Sequence, residues 1–179
     1  LPAHEDLRAV AYDDDPRETA ALRAVRAALA WRGCRRVGQV LVLTGPPGTG
    51  KSSACAWVVL RAETGALWTA APDVLATPRN GFSENTYRWE RWQSVPLLVV
   101  DDLGTETGDA ESLATLLAVR FDRGLLTLAS TNLDPRDFAS RYLAGPAGAR
   151  LSDRLRGQRD AGLRWIVTTG TESLRGGPR

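Results

Sequence analysis

The sequence contains no methionine, only two cysteines, and a single lysine beside 22 arginines. Two cysteines are too few for a disulfide framework, and their spacing is not that of a zinc site. No apolar run approaches the roughly 20 residues of a membrane span, and no signal-peptide pattern is present. We therefore expect a cytoplasmic protein with no membrane partner. The absence of any methionine also predicts that the chain is a fragment of a longer protein.

The 179 residues, 43% hydrophobic and 25% charged, are typical of one globular domain with a sizeable core. The formal net charge of +2 is unevenly distributed. Residues 1–20 carry six acids and two arginines, whereas residues 136–179 carry nine arginines and four acids. The basic C-terminal part could contact the phosphates of a nucleotide or nucleic acid, or an acidic neighbour, or it could be a solvated surface.

One stretch has the pattern G-x-x-x-x-G-K-S of a phosphate-binding loop. It follows an apolar segment at 39–44 that predicts a strand, and it precedes a segment at 53–62 that predicts a helix. Glycines allow a turn whose N–H groups point inward at a phosphate, and the helix start adds its positive dipole end. The predicted cofactor-binding residues are Gly45, Pro46, Pro47, Gly48, Thr49, Gly50, Lys51, Ser52 and Ser53.

Within this loop, Lys51 is predicted to contact the β- and γ-phosphates, and the Ser52 hydroxyl to bind Mg²⁺. Lys51 is the only lysine of the chain. A composition that otherwise uses arginine retains lysine here, where a compact ammonium group is needed. The alternative, a simple Gly/Pro turn between a strand and a helix, would not require Lys-Ser at this spacing.

The segment Pro96–Asp102 contains four consecutive apolar residues followed by two aspartates. Such a run is typical of a strand buried on both faces of a parallel sheet, and ligand sites lie at the carboxyl ends of such strands. We predict a Walker B element, in which Asp101 holds Mg²⁺ and Asp102 orients or deprotonates the attacking water. The alternative is an acidic surface turn without function.

A third apolar segment, 125–131, predicts another buried strand, and Asn132 directly follows it. An amide at that position could place the water near the γ-phosphate. Further along, Gly145–Gly148 is interpreted as a break before a short helix, Ala149–Arg156. Arg150 and Arg154 would share one face of this helix, with two leucines on the other.

The remaining periodic segments alternate between helix and strand, which predicts a three-layer αβα domain around a parallel five-stranded sheet. Gly65 is predicted to cap the helix that follows the phosphate loop. The other predicted helices are 17–31, 83–93, 111–121 and 135–143, and the other predicted strands are 66–71 and 163–169.

Aromatic and basic residues alternate in Tyr87–Trp92. They could stack bases and hold phosphates of single-stranded nucleic acid. Alternatively, Trp89 and Trp92, three residues apart on a helix, pack on the sheet.

Taken together, G-P-P-G-T-G-K-S, L-L-V-V-D-D-L-G, S-T-N-L and R-L-S-D-R-L-R resemble the AAA+ ATPases. More narrowly, they are similar to bacterial helicase loaders (DnaC type) and transposition helper ATPases (IstB type). The resemblance covers residues 10–175 and implies a single AAA+ domain over 1–179, without a C-terminal helical lid. It also implies that an N-terminal partner-binding domain is missing from this fragment.

The resemblance assigns three further roles. Asn132 would be sensor 1, Arg154 the arginine finger acting on the ATP of a neighbouring subunit, and Arg175 a sensor-2-like contact. The implied cofactors are ATP or ADP and Mg²⁺. The implied partners are a hexameric replicative helicase or a transposase, single-stranded DNA, and further copies of the chain joined through Arg154.

The resemblance thus implies an ATPase that loads a replicative helicase or assists a transposase. Two departures count against full activity. Asp102 is one methylene shorter than the Glu common at that position, which predicts slow turnover, and the segment at 73–85 is short for a DNA-gripping insertion. A nucleotide-dependent adaptor with little turnover and a small-molecule kinase remain as alternatives.

Overall fold

The structure, a computed structural model, describes residues 19–34, 38–62, 65–75, 84–108 and 110–170. Its helices are α1 (Ala20–Cys34), α2 (Lys51–Arg61), α3 (Ala71–Leu75), α4 (Glu84–Ser94), α5 (Glu111–Asp122), α6 (Pro135–Tyr142) and α7 (Gly145–Asp160). Its strands are β1 (Gln39–Thr44), β2 (Ala66–Ala70), β3 (Leu97–Leu103), β4 (Leu126–Thr131) and β5 (Ile166–Thr168).

All five strands are parallel and lie in the order β2-β3-β4-β1-β5. The chain leaves β1 for the far edge of the sheet, returns through β3 and β4, and then places β5 on the other side of β1. Strand β1 is therefore the point at which the order reverses. In open α/β sheets, ligands bind outside the carboxyl ends of the strands at such a point.

The sheet is buried on both faces. Successive residues of β1 alternate between two apolar clusters: Val40 and Val42 belong to one, Leu41 and Leu43 to the other. Helices α1 and α2 cover the second cluster, and α3 to α7 cover the first. This arrangement confirms the predicted three-layer αβα fold with its parallel five-stranded sheet. Along the described part of the chain, no helix is long and apolar enough to cross a membrane.

The interpretation of Gly145–Gly148 as a chain break is wrong, because these residues form the first turn of the 16-residue helix α7. Pro146 is compatible with this position, since the first N–H groups of a helix have no intrahelical partner. Gly148 is required by close packing. A Cβ atom there would lie 2.5 Å from the carbonyl carbon of Leu143.

The predicted cap at Gly65 is also wrong. Helix α2 ends at Arg61, and Ala62 already has an extended backbone conformation. Gly65 instead precedes β2, where its carbonyl accepts the N–H of Leu97 at 3.4 Å. The predicted beginnings of α1 and α4, at Arg17 and Ser83, lie outside the described residues.

The tryptophans of α4 pack against the sheet, as the second of the two interpretations requires. Trp92 is buried, and Trp89 packs on it edge to face with ring centroids 6.2 Å apart. Arg88 lies over the Trp92 ring at 5.5 Å. Only Tyr87 of this aromatic group projects into solvent, with 63% of its surface exposed.

A buried arginine joins α4, α5 and β4. Arg120 is fully buried in α5, and its guanidinium donates to the carbonyls of Val95 at 2.9 Å and Leu126 at 2.7 Å and to the Thr127 hydroxyl at 2.8 Å. It also donates to the carbonyl of Trp92. A guanidinium carries five N–H donors in a fixed plane, which a lysine cannot reproduce.

We expect Arg120→Met to lower the free energy of unfolding by about 3 kcal/mol or more, because several buried carbonyls lose their charged donor. Arg120→Lys should be nearly as destabilising. Chemical denaturation measures both, with the exposed Arg123→Met as the control. A loss below about 1 kcal/mol in both variants would show that Arg120 does not hold these elements together.

Candidate functional site

The loop between β1 and α2 is built on three glycines with positive φ: Gly45 at 146°, Gly48 at 86° and Gly50 at 83°. A side chain at these φ values would be strained, so the sequence pattern and the backbone shape agree. Inside the loop, the buried Thr49 donates its hydroxyl to the carbonyl of Pro46 at 3.0 Å. We refer to residues 45–52 as the phosphate loop.

Lys51 begins α2 and is buried, with 6% of its surface exposed. Its ammonium group donates to the carbonyls of Gly45 at 2.7 Å and Pro46 at 2.8 Å. The side chain therefore lies along the concave side of the phosphate loop instead of extending into solvent. A buried ammonium at a helix N-terminus attracts an anion strongly.

Two residues predicted to bind a metal lie together. The Ser52 hydroxyl donates to Asp101 Oδ1 at 3.0 Å, and the hydroxyl of Ser130 on β4 donates to the same oxygen. Burial raises the pKa of the Asp101 carboxyl above its usual range, the Ser130 hydrogen bond opposes this shift, and the charge of Asp102 adds to it.

Asp102 occupies a strained turn at the end of β3. Its φ is +55°, the one positive value among the described residues other than glycine. The register of β3 against β4 shifts between Val100 and Leu103, so Asp102 lies in an irregularity of the strand. Ser130 Oγ accepts the Asp102 N–H at 3.1 Å. Strain of this kind costs about 1–3 kcal/mol and is concentrated at functional sites.

Lys51, Ser52 and Asp102 border one cavity of about 250 Å³, whereas Asp101 and Ser130 do not line it. It is lined by Pro47, Gly48, Gly50, Lys51, Ser52, Ser53, Asp102 and Asn132. The structure thus brings Asn132 and Asp102 to the phosphate loop. In the sequence, 30 or more residues separate the loop from Asp102 and Asp102 from Asn132. The lysine and hydroxyl groups of the phosphate loop, the Asp102 carboxylate, and Asp101 beside Ser52 suit a phosphate with a bound cation.

The donor set fits Mg²⁺ and a nucleotide phosphate. Ser52 and Asp101 supply a hydroxyl and a carboxylate oxygen, the hard ligands that Mg²⁺ requires. A cation would also stabilise the charge of Asp101, whose buried carboxylate the protein alone stabilises poorly. The phosphate loop contributes the buried Lys51 for the anion.

Comparison of the sequence with protein-family models and with curated proteins finds no match. Solved structures do match. A DnaI crystal structure is 23% identical with a TM-score of 0.69, covering 98% of this chain and 94% of that chain. A candidate primosome component from Streptococcus pyogenes is 21% identical with a TM-score of 0.62, covering 90% and 85%.

A third structure is the replication initiator DnaA bound to AMPPCP and single-stranded DNA. It is 18% identical with a TM-score of 0.55, and the match covers 84% of this chain and 45% of that chain. The chain shares the three-layer α/β fold of these structures. This agrees with the resemblance stated from the motifs.

The structure does not test the two arginine roles that the resemblance implies. Arg154 does not line the cavity: its guanidinium pairs with both carboxylate oxygens of Asp122 at 2.9 and 3.2 Å, at the end of α5. Because Asp122 precedes the start of β4, the pair lies towards the sheet edge opposite the phosphate loop of the same chain. Arg150 is exposed one turn earlier. Arg175 lies outside the described residues.

Sequence reasoning missed two hydroxyl residues of this site. Ser130 holds Asp101 and Asp102, and the buried Thr169, just after β5, lies 2.6 Å from the Thr49 hydroxyl. Thr169 also donates to the carbonyl of Thr44 at 3.1 Å. The only available signal was the position of each residue at the end of a predicted strand.

We expect Asp101→Asn to remove most of the Mg²⁺-dependent gain in ATP affinity, a loss of about tenfold or more, because the amide cannot balance the cation's charge. Affinity measured in EDTA should change little. Calorimetric titrations with and without Mg²⁺ measure both, with the exposed Asp160→Asn as the control. An unchanged Mg²⁺ effect would remove Asp101 from the metal site.

Proposed function

We propose that this chain is an ATP-binding and ATP-hydrolysing AAA+ protein that acts as a replicative helicase loader on single-stranded DNA. The observation that carries the proposal is the convergence of Lys51, Asp102 and Asn132 on one cavity, with Ser52 and Asp101 hydrogen-bonded beside it. These are the parts that phosphoryl transfer to water needs: a phosphate cradle, metal ligands, and polar groups to place the water.

Each residue has a distinct task in this proposal. Lys51 neutralises charge on the β- and γ-phosphates, and Ser52 and Asp101 hold Mg²⁺, which supplies further charge neutralisation. Asp102 accepts a hydrogen bond or a proton from the attacking water. Asn132 orients that water through its amide.

Support for replication comes from the structural matches. Both the DnaI structure and the candidate primosome component match over most of their length and most of this chain. The DnaA structure with the same fold holds AMPPCP and single-stranded DNA. The excess of arginine in residues 136–179 is suited to a DNA backbone.

This function predicts ATP-dependent retention of labelled single-stranded DNA, with lower affinity for duplex. Retention should fall steeply between about 50 and 200 mM salt because phosphate contacts release counterions. Arg79 and Phe82, which lie outside the described residues, are the residues whose substitution should weaken DNA binding without changing ATP affinity. Filter binding with ATP, with ADP and without nucleotide makes the measurement.

Absence of retention at low salt in every nucleotide state would contradict DNA binding by this domain. Co-purification with a hexameric replicative helicase then tests the loader role separately. Co-purification with a transposase instead would favour a transposition helper.

A nucleotide-dependent adaptor with little turnover is the second candidate. The observation in its favour is Asp102, whose carboxylate is one methylene shorter than glutamate and sits on a strained backbone. Asp102→Glu separates the two candidates. If the short Asp102 side chain limits the rate of hydrolysis, the longer glutamate should raise the rate of phosphate release while leaving ATP affinity within about twofold. An unchanged rate would favour the adaptor.

A further inference from the structure

A buried glutamate lies four residues after Asp102 and does not line the cavity. Glu106 follows β3, and its side chain has no solvent exposure. One carboxylate oxygen accepts hydrogen bonds from Arg141 Nε at 2.9 Å and from the Tyr142 hydroxyl. The other oxygen accepts a hydrogen bond from the Gly104 N–H at 2.8 Å. Arg141 also donates to the main-chain carbonyl of Glu106 at 2.7 Å. We call Glu106, Arg141 and Tyr142 the acidic clamp.

The acidic clamp is fully hydrogen-bonded, as a buried carboxylate must be. Burial raises the pKa of the Tyr142 hydroxyl, and its hydrogen bond to Glu106 raises it further. Tyr142 therefore remains a donor. Such an ion pair often adds little net stability compared with apolar packing, so its value lies in the geometry that it fixes.

The acidic clamp fixes the geometry of the turn that contains Asp102. The carbonyl of Asp102 accepts the N–H of Thr105 at 3.2 Å and its hydroxyl at 2.8 Å. Between them lies Gly104, with φ +98°, and a Cβ atom there would lie 2.9 Å from the Leu133 side chain. The Gly104 N–H, which donates a hydrogen bond to Glu106, thus belongs to the same tight turn.

The two sides of this turn are held by different elements. Ser130 on β4 accepts the Asp102 N–H, and the hydroxyl of Thr131 donates to the carbonyl of Leu103 at 2.6 Å. Glu106 holds the opposite side through Gly104. Because Asp102 has a strained φ, its conformation persists only if the surroundings determine it from both sides.

We propose that Glu106 is a positioning residue for ATP hydrolysis: through Gly104, and supported by Arg141 and Tyr142, it fixes the turn that places the Asp102 carboxylate in the cavity. This proposal rests on the proposed function. Glu106 touches neither the phosphate loop nor the cavity, so its loss should reduce turnover without reducing nucleotide affinity.

The test compares Glu106→Gln and the milder Tyr142→Phe with Glu90→Gln, which neutralises an exposed acid on α4. Hydrogen exchange followed by mass spectrometry should show amides 101–106 exchanging about threefold to tenfold faster in the two clamp variants than in the wild type. The amides of β1 should be unaffected. Because Glu90 is exposed and belongs to another element, Glu90→Gln should match the wild type.

In the same proteins, kcat should fall about 10- to 100-fold in Glu106→Gln and less in Tyr142→Phe, because a misplacement of about 1 Å costs up to 100-fold. ATP affinity should remain within about twofold. Unchanged exchange at 101–106, or equally faster exchange in β1, would overturn the proposal, as would turnover that falls only in step with affinity. If the wild type releases no phosphate, the proposed function fails, and the exchange data still decide whether the clamp fixes the turn.

Discussion

Replacing Lys51 with alanine is expected to abolish ATP hydrolysis and to weaken ATP binding by about 100-fold, equivalent to the loss of about 2–3 kcal/mol from charged hydrogen bonds. The ammonium group lies on the concave side of the phosphate loop, where it donates to the carbonyls of Gly45 and Pro46. No other lysine exists in the chain to replace it.

Lys51→Arg is the sharper variant. It keeps the charge and follows the composition of a chain that otherwise uses arginine. Its planar guanidinium is bulkier than an ammonium and does not fit the same donor geometry, so turnover should also be lost. Calorimetry and phosphate release measure the two effects, and thermal unfolding controls for loss of the loop's own hydrogen bonds. Wild-type ATP affinity in Lys51→Ala would contradict the assignment.

Replacing Arg154 with alanine is expected to leave ATP affinity nearly unchanged and to reduce hydrolysis by on the order of 10³-fold, the effect of an arginine that stabilises phosphoryl transfer from a neighbouring subunit. The motivating observation is that Arg154 does not line the cavity of its own chain. Leu151 and Leu155 are buried and anchor α7, so the substitution should not unfold it.

Mixing two inactive variants tests whether the site is shared. Lys51→Ala keeps Arg154, and Arg154→Ala keeps the phosphate loop, so a mixed assembly contains some intact sites and should regain activity. If the mixture stays inactive although the proteins co-assemble, Arg154 acts within its own subunit or only holds structure. If Arg150→Ala, not Arg154→Ala, loses hydrolysis, the finger is one turn earlier.

Asp122 provides the matched control. The exposed pair of Arg154 with Asp122 contributes about 0–1 kcal/mol, so breaking it should leave the fold intact. Asp122→Asn removes the ion pair but keeps the arginine. If hydrolysis falls equally in Asp122→Asn and Arg154→Ala, the ion pair, not a finger acting in trans, accounts for the loss.

The part of the site that could be predicted from the sequence is the one formed by residues that are adjacent along the chain. Strand β1 was predicted with its bounds, because an uninterrupted apolar run, a Gly-rich turn and a helix follow each other without ambiguity. The carboxyl ends of parallel strands lie at one edge of a sheet, and this rule is enough to bring Asp101 and Asn132 to the phosphate loop, where the structure has them. No other long-range information is needed to predict where these two side chains lie. The roles assigned to the two residues stay predictions.

Residues that act through tertiary contacts were not predictable in this way. Glu106 and Arg141 are 35 positions apart and meet only because α6 packs beside the end of β3. Gly145–Gly148 has the composition of a loop, yet its backbone is helical because the packing of α7 on α5 outweighs the low helix propensity of glycine and proline. No feature of the sequence predicts the positive φ of Asp102.

The most direct test of the central claim is an ATP titration of the wild-type chain by calorimetry with Mg²⁺, combined with phosphate release from the same preparation. We expect one ATP bound per chain, tighter binding with Mg²⁺ than in EDTA, and release of more than one phosphate per chain. Failure to bind ATP, with or without Mg²⁺, would contradict the assignment of the phosphate loop and with it the proposed function.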